Sequence, residues 1–166
     1  MERATARRVE VDGMTPEDGG RDYRRALGSF ATGITVVTCG SADGRRAGLT
    51  VNSFTSVSLE PPLVSWCLAM RAFSFELFDA APYFAVNVLA REQEPLVQHF
   101  ASRLEDKFEA VEATPGLGGA PLLAGCVARF ECRRIDRVRA GDHVIYVGQV
   151  ERYARFEGEP LVLVQG

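Results

Sequence analysis

Two consecutive prolines, Pro61 and Pro62, separate two runs that both read as β-strand, residues 54–58 and residues 63–68. Proline has no backbone N–H to give to a sheet ladder, so the pair cannot lie inside a central strand. It marks a corner where the chain folds back. Further turn signals recur along the chain at Ser41-Ala-Asp-Gly44, Ala140-Gly-Asp142 and Glu157-Gly158. Between them lie short runs that read as strands at 34–39, 83–89, 126–132, 143–156 and 161–164, the first rich in β-branched residues, with 46–51 as the returning strand of a hairpin after the first turn. The run at 161–164 is expected to form a hairpin with the strand before it. Residues 126–132 alternate, with Cys126, Ala128, Phe130 and Cys132 on one face and Val127, Arg129 and Glu131 on the other. Apolar spacing predicts short helices at 23–31, 73–80 and 92–102, while 114–119 reads as a loop. A mainly β chain with so many strand edges protects them best as an antiparallel sheet closing into a barrel with a few short flanking helices. Strand–helix alternation is missing, which argues against a doubly wound parallel sheet.

At 166 residues the chain is long enough for one domain with a substantial core. The expected division is a disordered tail over 1–20, rich in charge and glycine, and one domain over 21–166. A net charge of −3 and the lack of any Lys/Arg-dense run speak against a nucleic-acid surface. Cys39, Cys67, Cys126 and Cys132 form no Cys-x-x-Cys pair, and neither His99 nor His143 stands at metal-ligand spacing from them. They read as reduced thiols in a cytoplasmic protein. No run is apolar and long enough to span a membrane.

Several common site signatures are absent. There is no dinucleotide-binding Gly-x-Gly-x-x-Gly, no phosphate loop and no Gly-x-Ser-x-Gly elbow. What remains is a polar cluster, Thr50, Asn52, Ser53, Thr55 and Ser56, opening onto an apolar strand. Hydroxyls and amides of this kind satisfy anion oxygens or a heterocycle edge without burying a further charge; they are also simply tolerated in strands and turns. Ser74 stands at a helix start, where it fits both N-capping and a phosphate contact. Asn87 interrupts an apolar strand, so it needs partners in the fold or on a ligand. His143 fits a surface turn or a hydrogen-bonding group at a site mouth.

Four segments in register resemble one family. They are Phe30-Ala-Thr-Gly-Ile-Thr-Val-Val-Thr38, Gly48-Leu-Thr-Val-Asn-Ser-Phe-Thr-Ser-Val-Ser-Leu-Glu-Pro-Pro-Leu-Val64, Phe84-Ala-Val-Asn-Val-Leu89, and Gly141-Asp-His-Val144 with Val147-Gly148. In order and spacing they are similar to the flavin reductase-like domain, the small reductase of two-component flavin-dependent monooxygenases. The resemblance implies an FMN-binding split β-barrel that works as a homodimer. It implies that Thr50, Val51, Asn52, Ser53 and Phe54 line the flavin, that Cys67, Leu68, Ala69 and Arg71 run along the isoalloxazine, and that Ser74 meets the phosphate. It places Asn87, Val88 and Leu89 at the ring's polar edge, Phe108 near the flavin at the dimer seam, and His143 beside the nicotinamide. Ala72-Phe73 depart from the small polar residues usual there, and the chain ends at 163–166, where relatives run on through an aromatic segment.

The activity implied is reduction of FMN or FAD by hydride from NADH or NADPH, with reduced flavin passing to a partner monooxygenase. Such chemistry needs an apolar slot with polar anchors and no strong nucleophile, which matches the residues present. The rival readings are a non-catalytic flavin-binding module and a pyridoxamine-phosphate-oxidase-like oxidase. The second would want more cations for another phosphate than Arg71 supplies.

Overall fold

The computed structural model describes residues 20–164. They fall into two compact units, residues 20–31 with Val164, and Thr32–Leu163. The expected tail lies, apart from Gly20, outside the described residues, as do the last two positions.

The first unit holds α1, Arg21–Gly28. It starts and stops earlier than the 23–31 predicted. Gly20 enters it in the left-handed region (φ 74°), and at the other end the Ser29 N–H donates to the Ala26 carbonyl and the Phe30 N–H to the Leu27 carbonyl, tighter bonds that close the helix.

The second unit is mainly antiparallel sheet. In chain order it contains β1 (Thr32–Gly33), β2 (Thr35–Gly40), β3 (Arg46–Val51), β4 (Thr55–Leu59), β5 (Pro62–Ala69), α2 (Phe75–Ala80), β6 (Tyr83–Val88), α3 (Glu94–Ala101), β7 (Ala113–Pro115), β8 (Pro121–Leu123), β9 (Ala128–Ala140), β10 (His143–Arg155) and β11 (Val162–Leu163). The double proline does turn the chain, with Leu59 facing Pro62 across the β4–β5 hairpin. Two expectations fail. β11 pairs with β1 rather than with β10, because residues 156–161 carry the chain past the end of β6, where the Leu161 N–H donates to the Leu89 carbonyl. The expected loop at 114–119 contains part of a small hairpin, β7 on β8, whose prolines face each other at its closed end.

Seven strands form one sheet in the order β3-β2-β6-β9-β10-β5-β4. The two edge strands, β3 and β4, are neighbours in sequence, joined by Asn52, Ser53 and Phe54 alone. Laid flat, a seven-stranded sheet separates its edges by about 29 Å. The link from Val51 to Thr55 spans about 14 Å at full stretch. The sheet therefore curls until its edges meet, and since β3 and β4 share no ladder, the result is a barrel with one seam closed covalently rather than by hydrogen bonds. This is the split barrel expected.

The barrel interior is lined by Val37, Val51, Val64, Trp66, Leu68, Phe84, Val86, Cys132, Val144 and Tyr146, with Phe78 of α2 closing one end. Trp66 stacks on Tyr146 at 5.0 Å and meets Phe78 and Phe84 edge-on. Each such side chain is worth about 1.5–3 kcal/mol in burial. A second core lies outside the barrel wall, where Ile34, Val36, Leu89, Phe100, Phe108, Leu123 and Cys126 pack together. β2 lies between the two cores and is buried at every position. Cys126 and Cys132 thus belong to different cores, not to one strand face. Gly125, at φ 75°, bends the chain ahead of β9, so the alternation read from the sequence does not reach back to Cys126.

Candidate functional site

β5 and β10 lie side by side, and their register sorts their side chains into two faces. Val144 faces Leu68 and Tyr146 faces Trp66, all buried inside the barrel. On the outer face His143 stands opposite Ala69, Ile145 opposite Cys67 and Val147 opposite Ser65, all half-buried. Val138 of β9 continues this face beside Ile145 and is 50% exposed. The strip is mostly apolar, with Ala69, Cys67, Ile145, Val147 and Val138 beside Ser65 and His143.

Two features fix polar groups at its rim. The Asn52–Phe54 link is tied to β5 by the Cys67 backbone N–H, which donates to Ser53 Oγ at 2.9 Å. At the other side a two-residue turn, Gly141-Asp142, joins β9 to β10. Such a turn wants positive φ at its first position, which Gly141 supplies at 61°. The Met70 N–H then donates to the Asp142 carbonyl at 3.0 Å, anchoring the turn to the end of β5. His143 is consequently the first residue of β10, with no slack before it. Its Nδ1 lies 2.7 Å from Asp142 Oδ1. That hydrogen bond and the charge of His143, with a contribution from Arg71, hold the Asp142 carboxyl below its usual range.

The structure gathers one subset of the expected site residues here: Ser53, Cys67, Ala69 and His143 are half-buried on or beside the strip, and Asn52 and Arg71 are exposed. Ser74 is half-buried at the start of α2 and makes no side-chain capping bond. Phe54 turns towards the barrel interior against Phe130, with ring centres 5.6 Å apart. Val88 is half-buried on β6.

Other expected residues have side chains committed to the fold. Val51 and Leu68 point into the barrel, and Leu89 and Phe108 into the outer core. Thr50 Oγ1 donates to the Val97 carbonyl of α3 at 2.7 Å. Asn87 is fully buried. Its Nδ2 donates to the Val36 carbonyl at 3.1 Å and reaches Pro121 O and Thr38 Oγ1, while its Oδ1 accepts from the Leu123 N–H at 2.9 Å. Four members of the strip, Ser65, Val138, Ile145 and Val147, are not among the site residues expected from sequence. For Ile145 and Val147, alternation with buried Val144 and Tyr146 was the available signal. Asp142 reads from sequence as a turn residue within the Gly141-Asp-His143 segment, with no role of its own.

A profile of the "Flavin reductase like domain" matches residues 27–166. The chain belongs to that family. Among its relatives are the "Probable flavin reductase" of Rhizobium meliloti (strain 1021), 46% identical over 80% of this chain and 43% of the relative, and the "FMN reductase (NADH) SmoA" of Agrobacterium fabrum, 43% identical over 90% of this chain and 84% of the relative. The reductase component of the flavin-dependent trigonelline monooxygenase of Acinetobacter baylyi is 41% identical over 80% of this chain and 43% of its own length. This flavin reductase-like chain thus spans less than half the length of two of these relatives and most of the third. A solved structure of the NADH:FAD oxidoreductase of Streptomyces globisporus, in complex with NAD and FAD fragments, superposes with a TM-score of 0.85 at 40% identity, covering 94% of each chain.

The strip fits a flavin by its chemistry. It offers an apolar plane for a flat tricycle, with an amide, a hydroxyl, a guanidinium and an imidazole around it. Among the described residues no cluster of His, Cys, Asp or Glu could hold a metal ion, and no helix is long and apolar enough to cross a membrane.

Proposed function

We propose that this chain is an NAD(P)H:flavin oxidoreductase that reduces FMN or FAD and passes the reduced flavin to a separate monooxygenase. The observation that carries the reading is the mostly apolar outer strip of β5 and β10, bordered by Asn52, Ser53, Arg71 and His143. When bound, flavin supplies the two-electron acceptor for hydride from the nicotinamide.

The chain's own residues bind, orient and shield. Ile145, Cys67 and Ala69 form the plane on which a ring lies. Asn52 and Ser53 offer polar atoms at its edge. Arg71 is the nearest exposed cation for a phosphate, and His143 meets the second ring. Holding two flat rings at contact distance replaces a bimolecular encounter, and an apolar surround excludes water.

The strip is open in a single protomer, and Ile145, Val147 and Val138 leave it apolar. A second copy of the chain covers it in this reading, so the working unit is a homodimer with the flavin at the seam. Relatives named as reductase components support the monooxygenase partner.

Purified full-length protein is assayed for loss of reduced nicotinamide with each flavin–nicotinamide pair. FMN- or FAD-dependent oxidation is the expected result. Flavin binding without any nicotinamide oxidation refutes the reductase and leaves the non-catalytic module. Sedimentation at assay concentration reads the dimer, and a monomer with full activity removes that part.

A further inference from the structure

The two histidines of this chain are held in opposite ways. His99 Nε2 lies 2.6 Å from the Lys107 carbonyl. A carbonyl oxygen only accepts, so the proton of His99 is on Nε2. His143 Nδ1 lies 2.7 Å from a carboxylate oxygen of Asp142, which also only accepts when ionised. The proton of neutral His143 is therefore on Nδ1. Its Nε2 has no protein partner among the described residues and carries a lone pair. Across the ladder His143 faces two uncharged residues, Ala69 on β5 and Ala140 on β9. Arg71, at the end of β5, adds a positive charge that the Asp142 carboxylate feels.

We propose that Asp142 is a positioning residue: it fixes neutral His143 as the Nδ1–H tautomer, so that Nε2 presents an acceptor to an amide N–H of the ligand. The group that fits beside a flavin is the carboxamide of a reduced nicotinamide, a planar N–H donor. The flavin's own ring N3–H has the same donor chemistry, and the two are separable by analogue. The inference rests on the reductase reading for its ligand, but not for the tautomer.

The test uses full-length protein labelled with nitrogen-15 in histidine. Only two imidazole rings contribute, and they are expected to show opposite tautomers at a pH where both are neutral, Nε2–H for His99 and Nδ1–H for His143. Asp142→Ala is expected to return His143 to the Nε2–H form favoured by a free imidazole. Asp142→Asn keeps an acceptor oxygen and is expected to keep the Nδ1–H form. His99 reports that each variant is folded. In turnover, Asp142→Ala is expected to raise KM for the nicotinamide about three- to ten-fold, the worth of one hydrogen bond, while Asp142→Asn stays near wild type. A nicotinic-acid dinucleotide, which lacks the amide donor, is expected to lose the difference between wild type and Asp142→Ala. An N3-methylated flavin is expected to keep it.

An Nε2–H signal from His143 in the wild type, or a tautomer that ignores Asp142→Ala, overturns the proposal. So does the predicted tautomer with an unchanged KM in Asp142→Ala. If the methylated flavin abolishes the difference instead, the donor is the flavin and the nicotinamide assignment falls. Failure of the reductase reading looks different: no nicotinamide oxidation by the wild type, with the two tautomers still as stated.

Discussion

Replacing Asn87 by alanine separates a structural role from a ligand-binding one. In the fold the amide is the hub of three segments. It donates to the Val36 carbonyl of β2 and reaches the Pro121 carbonyl of β8, and it accepts from the Leu123 N–H. The Pro121 carbonyl keeps a donor after truncation, because Thr38 Oγ1 lies 2.6 Å from it. The Leu123 N–H loses its side-chain acceptor, and a buried donor without a partner costs about 1–3 kcal/mol. The truncation also leaves a void at a site with no solvent access, which adds about 1 kcal/mol. The expected loss is about 3 kcal/mol. For a chain of this length that lowers Tm by about 6–12 °C. Urea unfolding at fixed protein concentration should show the midpoint falling with an unchanged slope. Flavin affinity of the folded variant should stay within about two-fold of wild type, since a change of that size is under 0.5 kcal/mol. A stable Asn87→Ala protein with strongly weakened flavin binding would refute this account and return Asn87 to the ligand.

Other outcomes follow from the same geometry. Gly148→Ala places a Cβ 2.4 Å from Phe84 Cζ in the barrel; the overpacking is expected to cost about 1–3 kcal/mol, read as a lower urea midpoint. Burial pushes the thiols of Cys39 and Cys132 up to about 12 and that of Cys126 up to about 11. Alkylation of folded protein at mild pH should therefore mark Cys67 first by mass spectrometry, and bound flavin should protect it; early marking of Cys39 contradicts the burial. Asp43 is held down to about 2, first by the Ser41 hydroxyl and then by Arg45. A depressed carboxyl contributes stability that is present above its unfolded value, about 4, and is lost as pH falls towards 2. Asp43→Asn should flatten the fall in stability over that window, and an unchanged acid unfolding curve would remove the role.

How much of this could be read from the chain varies with the range of the interaction. β3 runs over the residues expected for the strand returning from the Ser41–Gly44 turn, and β10 ends within a residue of its expected limit, because turn chemistry and strand propensity are local signals. The partner of β11 was missed, because a two-residue strand does not carry its own address. Pairing with β1 is decided by where β6 and residues 156–161 bring the chain. Asn87 shows the same limit at the site. A polar residue in an apolar strand announces that it needs partners, yet nothing nearby says that they are Val36 and Leu123, one 51 and the other 36 positions away. Phe108 and Leu89 read equally well as ring contacts or core. The second core that takes them exists only once α3 has docked on β3, where Gly48 lets the Phe100 ring approach to 2.8 Å of an ideal Cβ. By contrast, Ser53, Cys67, Ala69 and His143 lie side by side on or beside one strip, because sheet register carries short-range alternation across neighbouring strands.

The three-residue seam between β3 and β4 does two jobs at once. It is the latch that keeps a ribbon rolled into a tube, and in the proposed function it is also part of the wall against which the ligand rests. Mutational drift at Asn52 or Ser53 cannot retune one job in isolation. Selection for a different ligand at this hinge point would be filtered by whether the tube still shuts, so changes of preference should accumulate on the β5–β10 strip, where the scaffold has more freedom to vary.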